Sequence, residues 1–137
     1  MIVADAHPLA GRGTVKLRDL VGEPLIQLDL QPSRENTEYL FASLGLEPDI
    51  RHTTTNYELA RCLVGRGLGY SVLIQRPASH LTYDGHSVAV LELSDDLPTA
   101  TVGLARPQGS PRTAKYSTLH AFLVAHEAPE ASASIRR

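Results

Sequence analysis

Two short polar runs carry the side chains of this sequence whose types and spacing could bind a small ligand. They are "DLQPSRE" (residues 29–35) and "HTTTNYE" (residues 52–58). Each run leads from an apolar, strand-like segment into a helical one, so it offers hydroxyl groups together with the free backbone amides of a helix N-terminus. That combination suits a carboxylate or another small anion. Ser33, Thr55 and Asn56 are also what ordinary helix capping requires, so capping alone is the alternative interpretation.

The glycine cluster Gly65-Arg66-Gly67-Leu68-Gly69 is the other candidate, because glycine-rich loops often hold phosphate. A dinucleotide-binding loop needs a strand before the glycines and a helix after them, so that the phosphate lies on the amides of that helix. Here the helical pattern comes first and the strand pattern second. These glycines therefore follow a helix C-terminus, whose partial negative charge disfavours an anion. They predict a helix stop and a tight turn.

No other set of residues predicts catalysis or metal binding. Nothing resembles a Gly-x-Ser-x-Gly elbow, and the adjacent Asp95 and Asp96 before a proline predict a solvated turn. The histidines show no ligand spacing, and with one cysteine no metal site is predicted. The histidines are His7, His52, His80, His86, His120 and His126. We expect neither an enzyme nor a bound cofactor.

Composition limits the partners of the chain. Its 137 residues, 42% of them hydrophobic, are enough for the core of one domain. The formal charge is −2 with 13 scattered basic residues, which argues against direct binding of nucleic acid. Cys62 is the single cysteine, and neither a signal peptide nor an apolar run of membrane-span length is visible. We expect a soluble, cytoplasmic protein.

The elements that position the polar runs follow from hydrophobic periodicity. Residues 24–30 predict a strand, and residues 32–45 a helix with Ser33 as N-cap and Gly45 as C-cap. A second strand over 48–55 leads into a helix whose first turn, Thr55 to Glu58, has the form of a capping box. A third strand follows over 70–74. Because the connections are helical crossovers, this order predicts a parallel α/β sheet.

The second half of the sequence is less regular. Residues 87–93 and 99–106 resemble strands joined by a polar turn, and residues 111–128 predict a helix. Tyr116, Leu119, Phe122 and Leu123 lie at helical spacing in that segment. The small, polar residues of the tail, 127–137, predict flexibility or disorder.

The order of these motifs resembles the effector-binding, substrate-binding-like region of LysR-type transcriptional regulators. The similar pieces are "ADAHPLAGRGTVKLRDLVGEPLI" (4–26), which looks like a "HPLA" strand, a short "L-x-D-L" helix and a "PLI" strand, and "NYELARCLVGRGLGYSVL" (56–73), which looks like a helix, a Gly-x-Gly turn and a strand. The later strands and the last helix extend the resemblance to about residue 126. No single motif is strict, and the specificity lies in their order and spacing.

The resemblance implies an α/β fold of the type-2 periplasmic-binding-protein kind, with one βαβαβ subdomain complete and the other partial. Residues 30–94 would form the second subdomain, and residues 1–29 and 95–126 part of the first, with crossings near 27–31 and 93–99. An effector would bind in the cleft between the subdomains. The family's cleft positions correspond to Gln31, Ser33, Arg34, Thr54, Thr55 and Asn56, with Tyr70 and Gln75 as further candidates at the ends of the third strand.

Departures from the family matter equally. Nothing resembles its winged helix-turn-helix domain, and the first elements of the first subdomain are absent, so we expect a truncated regulator that does not bind operator DNA. Apolar surface left by that loss predicts a homo-oligomer. The resemblance implies a small-molecule effector, expected to be a carboxylate or aromatic acid. The alternative is an oligomerisation or interaction module that has lost effector binding.

Overall fold

In a computed structural model, residues 1–97 and 104–126 are described, and the chain divides into two compact units, Met1–Ala100 and Thr101–Arg137, rather than one. In chain order, the strands are β1 (Ile2–Ala4), β2 (Thr14–Val15), β3 (Pro24–Leu28), β4 (Asp49–Thr54), β5 (Val88–Val90) and β6 (Glu92–Leu93). The helices are α1 (Ser33–Ser43), α2 (Tyr57–Gly65) and α3 (Ala114–Ala125), with 3₁₀ turns at Ala10–Arg12 and Leu17–Leu20.

β3 pairs in parallel with β4, as the sequence predicts. On the other side of β3, the Tyr70 N–H donates to the Pro24 carbonyl (3.0 Å) and the Ile26 N–H donates to the Tyr70 carbonyl (2.8 Å), again in parallel. Ser71 then bridges to Ile2 of β1, which pairs antiparallel with β5. The order across the sheet is therefore β4, β3, residues 70–71, β1 and β5.

The predicted third strand over 70–74 is wrong in length, because only Tyr70 and Ser71 are bridged. In a continued parallel ladder the Ile26 carbonyl would accept from the N–H of residue 72. Instead it accepts from the Ser71 hydroxyl at 2.7 Å. A side chain thus replaces the next rung, and regular pairing ends there.

Alternation along the strands sends side chains to two buried faces. On one face, Leu25, Tyr70 and Val72 pack with Leu40 and Phe41 of α1. The same cluster also contains Val3, Val15, Leu17, Leu20 and Leu91. On the other face, Ile2, Ile26 and Val88 pack with Ala60 and Val64 of α2. Helices therefore cover both faces, the arrangement expected when parallel strands are buried on both sides.

Both predicted helix starts are wrong by one residue. Pro32 occupies the N-cap position of α1 and has no side-chain oxygen to accept a bond, so Ser33 is the first helical residue. For α2 the cap is Asn56 and not Thr55. The reason is that the Asn56 Oδ1 atom accepts from the Glu58 and Leu59 N–H groups, while the Thr54 hydroxyl accepts from the Asn56 N–H (3.1 Å). At the end of α1, Gly45 has a φ of +64°, as its predicted role at the helix stop requires.

The glycine cluster forms the helix stop and tight turn that the sequence predicts. α2 ends at Gly65, and Gly67 adopts a φ of +75°. Gly69 has a further role, because a Cβ atom there would lie 2.1 Å from the Pro24 carbonyl oxygen. That oxygen is the one that accepts from the Tyr70 N–H, so the missing side chain at Gly69 lets residues 70–71 join β3.

Later elements differ from the predictions in detail. The strand over 87–93 is split into β5 and β6, and β6 pairs in parallel with β2. Asp95 is half-buried, and its carboxylate accepts from the Leu17 N–H (2.7 Å), so the predicted solvated turn is wrong for this residue. The "HPLA" strand is also wrong, because β1 precedes those residues and a 3₁₀ turn begins at Ala10.

Residues 1–29 and 30–94 both lie in the first unit. The predicted boundaries between the two subdomains stay a prediction. Of the predicted strand over 99–106, residues 99–103 lie outside the described part, and 104–106 have no regular structure. The tail 127–137 also lies outside the described part.

In the second unit, α3 is shorter than the predicted helix and begins after Thr113, whose hydroxyl accepts from the Tyr116 N–H (3.2 Å). None of its residues is buried. Its large apolar side chains are 46 to 56% exposed. They are Leu119, Phe122, Leu123 and Val124. Exposed apolar side chains in such a row are typical of association surfaces.

Candidate functional site

The two polar runs lie at the same edge of the sheet, where β3 and β4 end. The Asp29 N–H donates to the Thr54 carbonyl (2.8 Å), which joins the residue after β3 to the last residue of β4. α1 begins at Ser33 and α2 at Tyr57, directly after that edge. In open α/β sheets this is the edge where ligands bind. Six predicted site residues thus follow the carboxyl ends of neighbouring strands, and they are Gln31, Ser33, Arg34, Thr54, Thr55 and Asn56.

At the α2 end, the polar side chains are occupied by the helix itself. The Asn56 Oδ1 atom accepts from the N–H groups of Glu58 (2.9 Å) and Leu59 (3.0 Å). The Thr54 hydroxyl oxygen accepts from the Asn56 N–H. Thr55 is exposed. These bonds give Asn56 the capping role that the sequence left as the alternative, with the Thr54 hydroxyl bonded to the cap residue.

At the α1 end, the donors are less occupied. The Pro32 cap accepts no side-chain bond, and within residues 1–97 the half-buried Ser33 hydroxyl makes no hydrogen bond. The Arg34 N–H already donates to the Leu30 carbonyl (3.0 Å), so the Ser33 hydroxyl and the Ser33 and Glu35 N–H groups are the donors that an acceptor such as a carboxylate oxygen could use at this helix N-terminus. Of the two helix ends, this one is the better equipped to bind a ligand.

Carboxylates near α1 already occupy the side-chain donors of Arg34 and Gln31 that a ligand could otherwise bind. Arg34 Nη1 donates to Asp29 Oδ1 (3.0 Å), and its Nε lies 3.8 Å from Glu38 Oε1. The Gln31 amide donates to Glu35 Oε1 (2.6 Å). The arginine charge is therefore already balanced by carboxylates, so a ligand acid would depend on the hydroxyl and amide donors or would compete with Asp29.

Tyr70 is not part of this edge. Its side chain is 1% exposed and lies in the core beside Leu25 and Phe41. Burial, the largest cause, together with the nearby carboxylates of Glu23 and Asp49 raises the pKa of Tyr70 to about 12. Those two residues lie where β3 and β4 begin, so the hydroxyl faces the opposite end of the sheet.

Gln75 is exposed and lies in a different place from the six residues at the strand ends. It lines a shallow surface pocket of about 100 Å³ with Leu73, Pro77, Val90 and Glu92. The lining includes no residue of the two polar runs. Neither Tyr70 nor Gln75 is brought to the edge where Ser33 lies.

The buried Tyr70 gives a testable pH dependence. Because its pKa is raised from 10 in the unfolded chain to about 12, the full stability is present below pH 10 and is lost as pH rises toward 12. The decrease in the free energy of unfolding should stay below about 3 kcal/mol, since two pKa units correspond to about 2.7 kcal/mol. Urea denaturation between pH 9 and 12 measures it, and Tyr70→Phe should flatten the profile. Identical profiles for both proteins would contradict this assignment.

Two residues are prominent in the structure: Arg61, which sequence reasoning did not select, and Glu58, which was expected in a capping box but whose carboxylate binds Arg61 and the Tyr83 N–H instead. Glu58 and Arg61 of α2 form a 2.5 Å ion pair that contacts residues 79–83. Their i, i+3 spacing is a common surface pattern, so the sequence carries no signal of their burial.

Neither a metal cluster nor a membrane helix is found in the part of the chain that the structure describes. Within residues 1–97 and 104–126, no three His, Cys, Asp or Glu side chains are grouped to hold a metal ion. In the same ranges, no helix has the length and apolarity needed to cross a bilayer.

Comparison with known proteins identifies the family. Residues 1–128 match the LysR substrate binding domain. The chain is 29% identical over 122 residues to the transcriptional dual regulator OxyR of Escherichia coli K12, covering 87% of this chain and 39% of OxyR. The chain thus spans about two fifths of that relative.

Solved structures agree. HinK, a LysR family transcriptional regulator from Pseudomonas aeruginosa, superimposes with a TM-score of 0.69 at 42% identity, over 73% of this chain and 35% of HinK. The effector binding domain of BenM, solved with its effector benzoate, superimposes with a TM-score of 0.55 at 28% identity. The match covers 69% of this chain and 44% of the BenM chain. The family match and these structures show that the chain belongs to the LysR substrate-binding domain family and has its periplasmic-binding-protein-like α/β fold.

Proposed function

We propose that the chain is the ligand-sensing, effector-binding domain of a LysR-type regulator and binds a small organic acid at the carboxyl edge of β3 and β4. The observation that carries the proposal is the start of α1, which has no side-chain cap and where the half-buried Ser33 hydroxyl makes no hydrogen bond within residues 1–97. BenM, a structural neighbour 28% identical to this chain, is solved with benzoate, an aromatic acid. The domain senses its ligand without a cofactor and without catalysing a reaction.

To enclose a ligand, the sheet edge at Ser33 needs a second surface facing it. A site that encloses a small molecule usually has a volume of roughly 300 to 1,000 Å³. The shallow pocket lined by Gln75 is smaller, at about 100 Å³. We therefore propose that the edge at Ser33 forms one side of a cleft, as in the family, and that Gln31, Arg34 and Thr54–Asn56 line that side. An effector would act by preferring one placement of the two surfaces.

Loss of the Ser33 hydroxyl tests the proposal. Ser33→Ala should weaken benzoate binding about tenfold, because a hydrogen bond to a charged group contributes about 1.5 kcal/mol or more. Isothermal titration calorimetry at fixed pH and salt measures the dissociation constant. The affinity for benzamide, a neutral analogue, should fall less than the affinity for benzoate when Ser33 is replaced by alanine.

Ser43→Ala is the matched control. Ser43 closes the same helix, and its hydroxyl donates to the Tyr39 carbonyl (2.7 Å), far along α1 from the strand ends. Its removal should leave benzoate affinity unchanged. Equal affinity of wild type and Ser33→Ala would remove the proposed site, and absence of binding by the wild type to any acid in a millimolar panel would remove the proposed function.

An alternative function is association with another protein chain. It is favoured by the exposed apolar side chains of α3, Leu119, Phe122, Leu123 and Val124. The chain would then pair with itself or with a longer regulator of the family. Sedimentation velocity across a concentration series separates the two functions, since an oligomer whose stability no acid affects favours the interaction module.

A further inference from the structure

A buried ion pair fastens α2 to a segment more than 15 residues away in sequence. Arg61 is only 6% exposed, and its Nη1 donates to Glu58 Oε2 (2.5 Å). Its Nη2 donates to the carbonyl oxygens of Ser79 (2.5 Å) and Leu81 (3.0 Å). The other carboxylate oxygen, Glu58 Oε1, accepts from the Tyr83 N–H (2.7 Å). The Glu58 and Arg61 side chains thus bond to three backbone groups of residues 79–83.

The energetics of this pair point to positioning rather than to stability. Removing two charges from water costs several kcal/mol, and an apolar pair of similar size is often as stable or more so. In addition, the buried Arg61 Nε has no hydrogen-bond partner among the described residues, which is a further cost. What the pair offers, and an apolar pair does not, is one defined placement of 79–83 against α2.

The same residues are connected to the edge of the sheet proposed as the effector site. The Glu58 N–H donates to Asn56 Oδ1, and the Asn56 N–H donates to the Thr54 hydroxyl oxygen. Glu58 therefore bonds by its backbone to the cap of α2 and by its side chain to Tyr83. A continuous set of hydrogen bonds runs from the end of β4 to residues 79–83.

We infer that Glu58 and Arg61 are positioning residues: by fixing residues 79–83 against α2, they hold the Thr54–Asn56 side of the effector site in its binding geometry. This inference rests on the proposed function for its effect on ligand affinity. The placement of residues 79–83 does not depend on it.

A second ion pair, between the C-cap residue of α2 and the residue after the 79–83 segment, supplies a matched control. Arg66 Nε donates to Asp84 Oδ2 at 2.7 Å, and the Arg66 side chain is largely exposed. This pair lies at the C-terminal end of α2, away from the Asn56 cap. Removing it should leave the Thr54–Asn56 side in place.

The test variant is Glu58→Met/Arg61→Met, which removes both charges and the acceptor for the Tyr83 N–H, leaves no buried charge unpaired and keeps most of the side-chain volume. Arg66→Gln is the control, and the full chain is used throughout. Hydrogen exchange of the Glu58, Leu59 and Tyr83 amides, the melting temperature and the benzoate dissociation constant are measured for each. We expect the double variant to keep its melting temperature, to exchange at least tenfold faster at those amides and to bind benzoate about fivefold more weakly. Arg66→Gln should match the wild type in amide exchange and affinity.

Two results would overturn the inference. One is a lower melting temperature of the double variant with unchanged benzoate affinity, which would make the pair structural only. The other is unchanged exchange at the Glu58 and Leu59 amides, which would show that the cap does not depend on the pair. If the wild type itself does not bind benzoate, the proposed acid site fails, and amide exchange alone still decides whether Glu58 and Arg61 position the cap.

Discussion

Gly69→Ala should destabilise the chain by roughly 4 kcal/mol, the largest effect expected of a methyl group added at any glycine within residues 1–97 and 104–126. The new Cβ atom would lie 2.1 Å from the Pro24 carbonyl oxygen and 2.9 Å from its carbonyl carbon. Both are backbone atoms of β3, so no flexible side chain can move aside. The backbone at Gly69 also has a φ of +147°, which side-chain-bearing residues rarely adopt.

The expected damage is specific to the sheet. To relieve the overlap, residues 70–71 must move away from β3 and lose the bonds from Tyr70 N–H to Pro24 and from Ile26 N–H to Tyr70. Since domains are stable by only about 5 to 15 kcal/mol, much of the chain should be unfolded near its working temperature. Urea denaturation followed by circular dichroism measures the change.

Gly67→Ala is the control in the same turn. Gly67 has a φ of +75°, but no atom lies within 4 Å of the place that a Cβ atom would take, so only the backbone strain of about 1 kcal/mol should appear. Equal losses for the two substitutions would contradict the close approach of Gly69 to β3 and leave only glycine flexibility as the explanation.

Phe41→Ala should lower the free energy of unfolding by about 3 to 5 kcal/mol, the range measured when large aromatic side chains are removed from cores. Phe41 is 1% exposed and packs against Leu25 and Tyr70 on the face of the sheet that α1 covers. The cavity left behind would loosen the attachment of α1 to β3. Because α1 carries Ser33, benzoate affinity should fall together with stability.

Tyr39→Ala is the comparison for Phe41. It lies two residues earlier on the same helix and is 54% exposed, so its loss should change the free energy of unfolding by less than about 0.5 kcal/mol. Denaturant midpoints at constant slope measure both variants. A Phe41→Ala protein as stable as Tyr39→Ala would show that α1 does not pack on the sheet through this residue.

Local patterns were enough to predict the elements near the proposed site. The apolar stripe of α1, the left-handed glycine at its end and the β-branched run of β4 are properties of neighbouring residues, so periodicity and capping chemistry indicate them directly. Parallel pairing followed from the helical crossovers, and the order of motifs identified the family. From these, the meeting of Ser33 and Asn56 at one edge of the sheet could be predicted.

The roles of individual side chains depended on residues distant in sequence. Tyr70 was expected in the cleft, but pairing with Leu25 places its ring in the core, and no local signal distinguishes the two positions. Glu58 was expected in a capping box, but its carboxylate pairs with Arg61 and accepts from the Tyr83 N–H, 25 residues away.

By itself, the sequence determined the order of elements, the parallel α/β class, the family and the polar edge, because each depends on side chains that are close along the chain. Only the tertiary structure decided that Gly69 is needed for contact with β3, that Glu58 and Arg61 hold residues 79–83, and that α1 rather than α2 has the available donors. The physical reason is that burial and hydrogen-bond partners are set by segments about 20 to 45 residues apart. Their approach in space is a property of the packed sheet, which no short stretch of sequence contains.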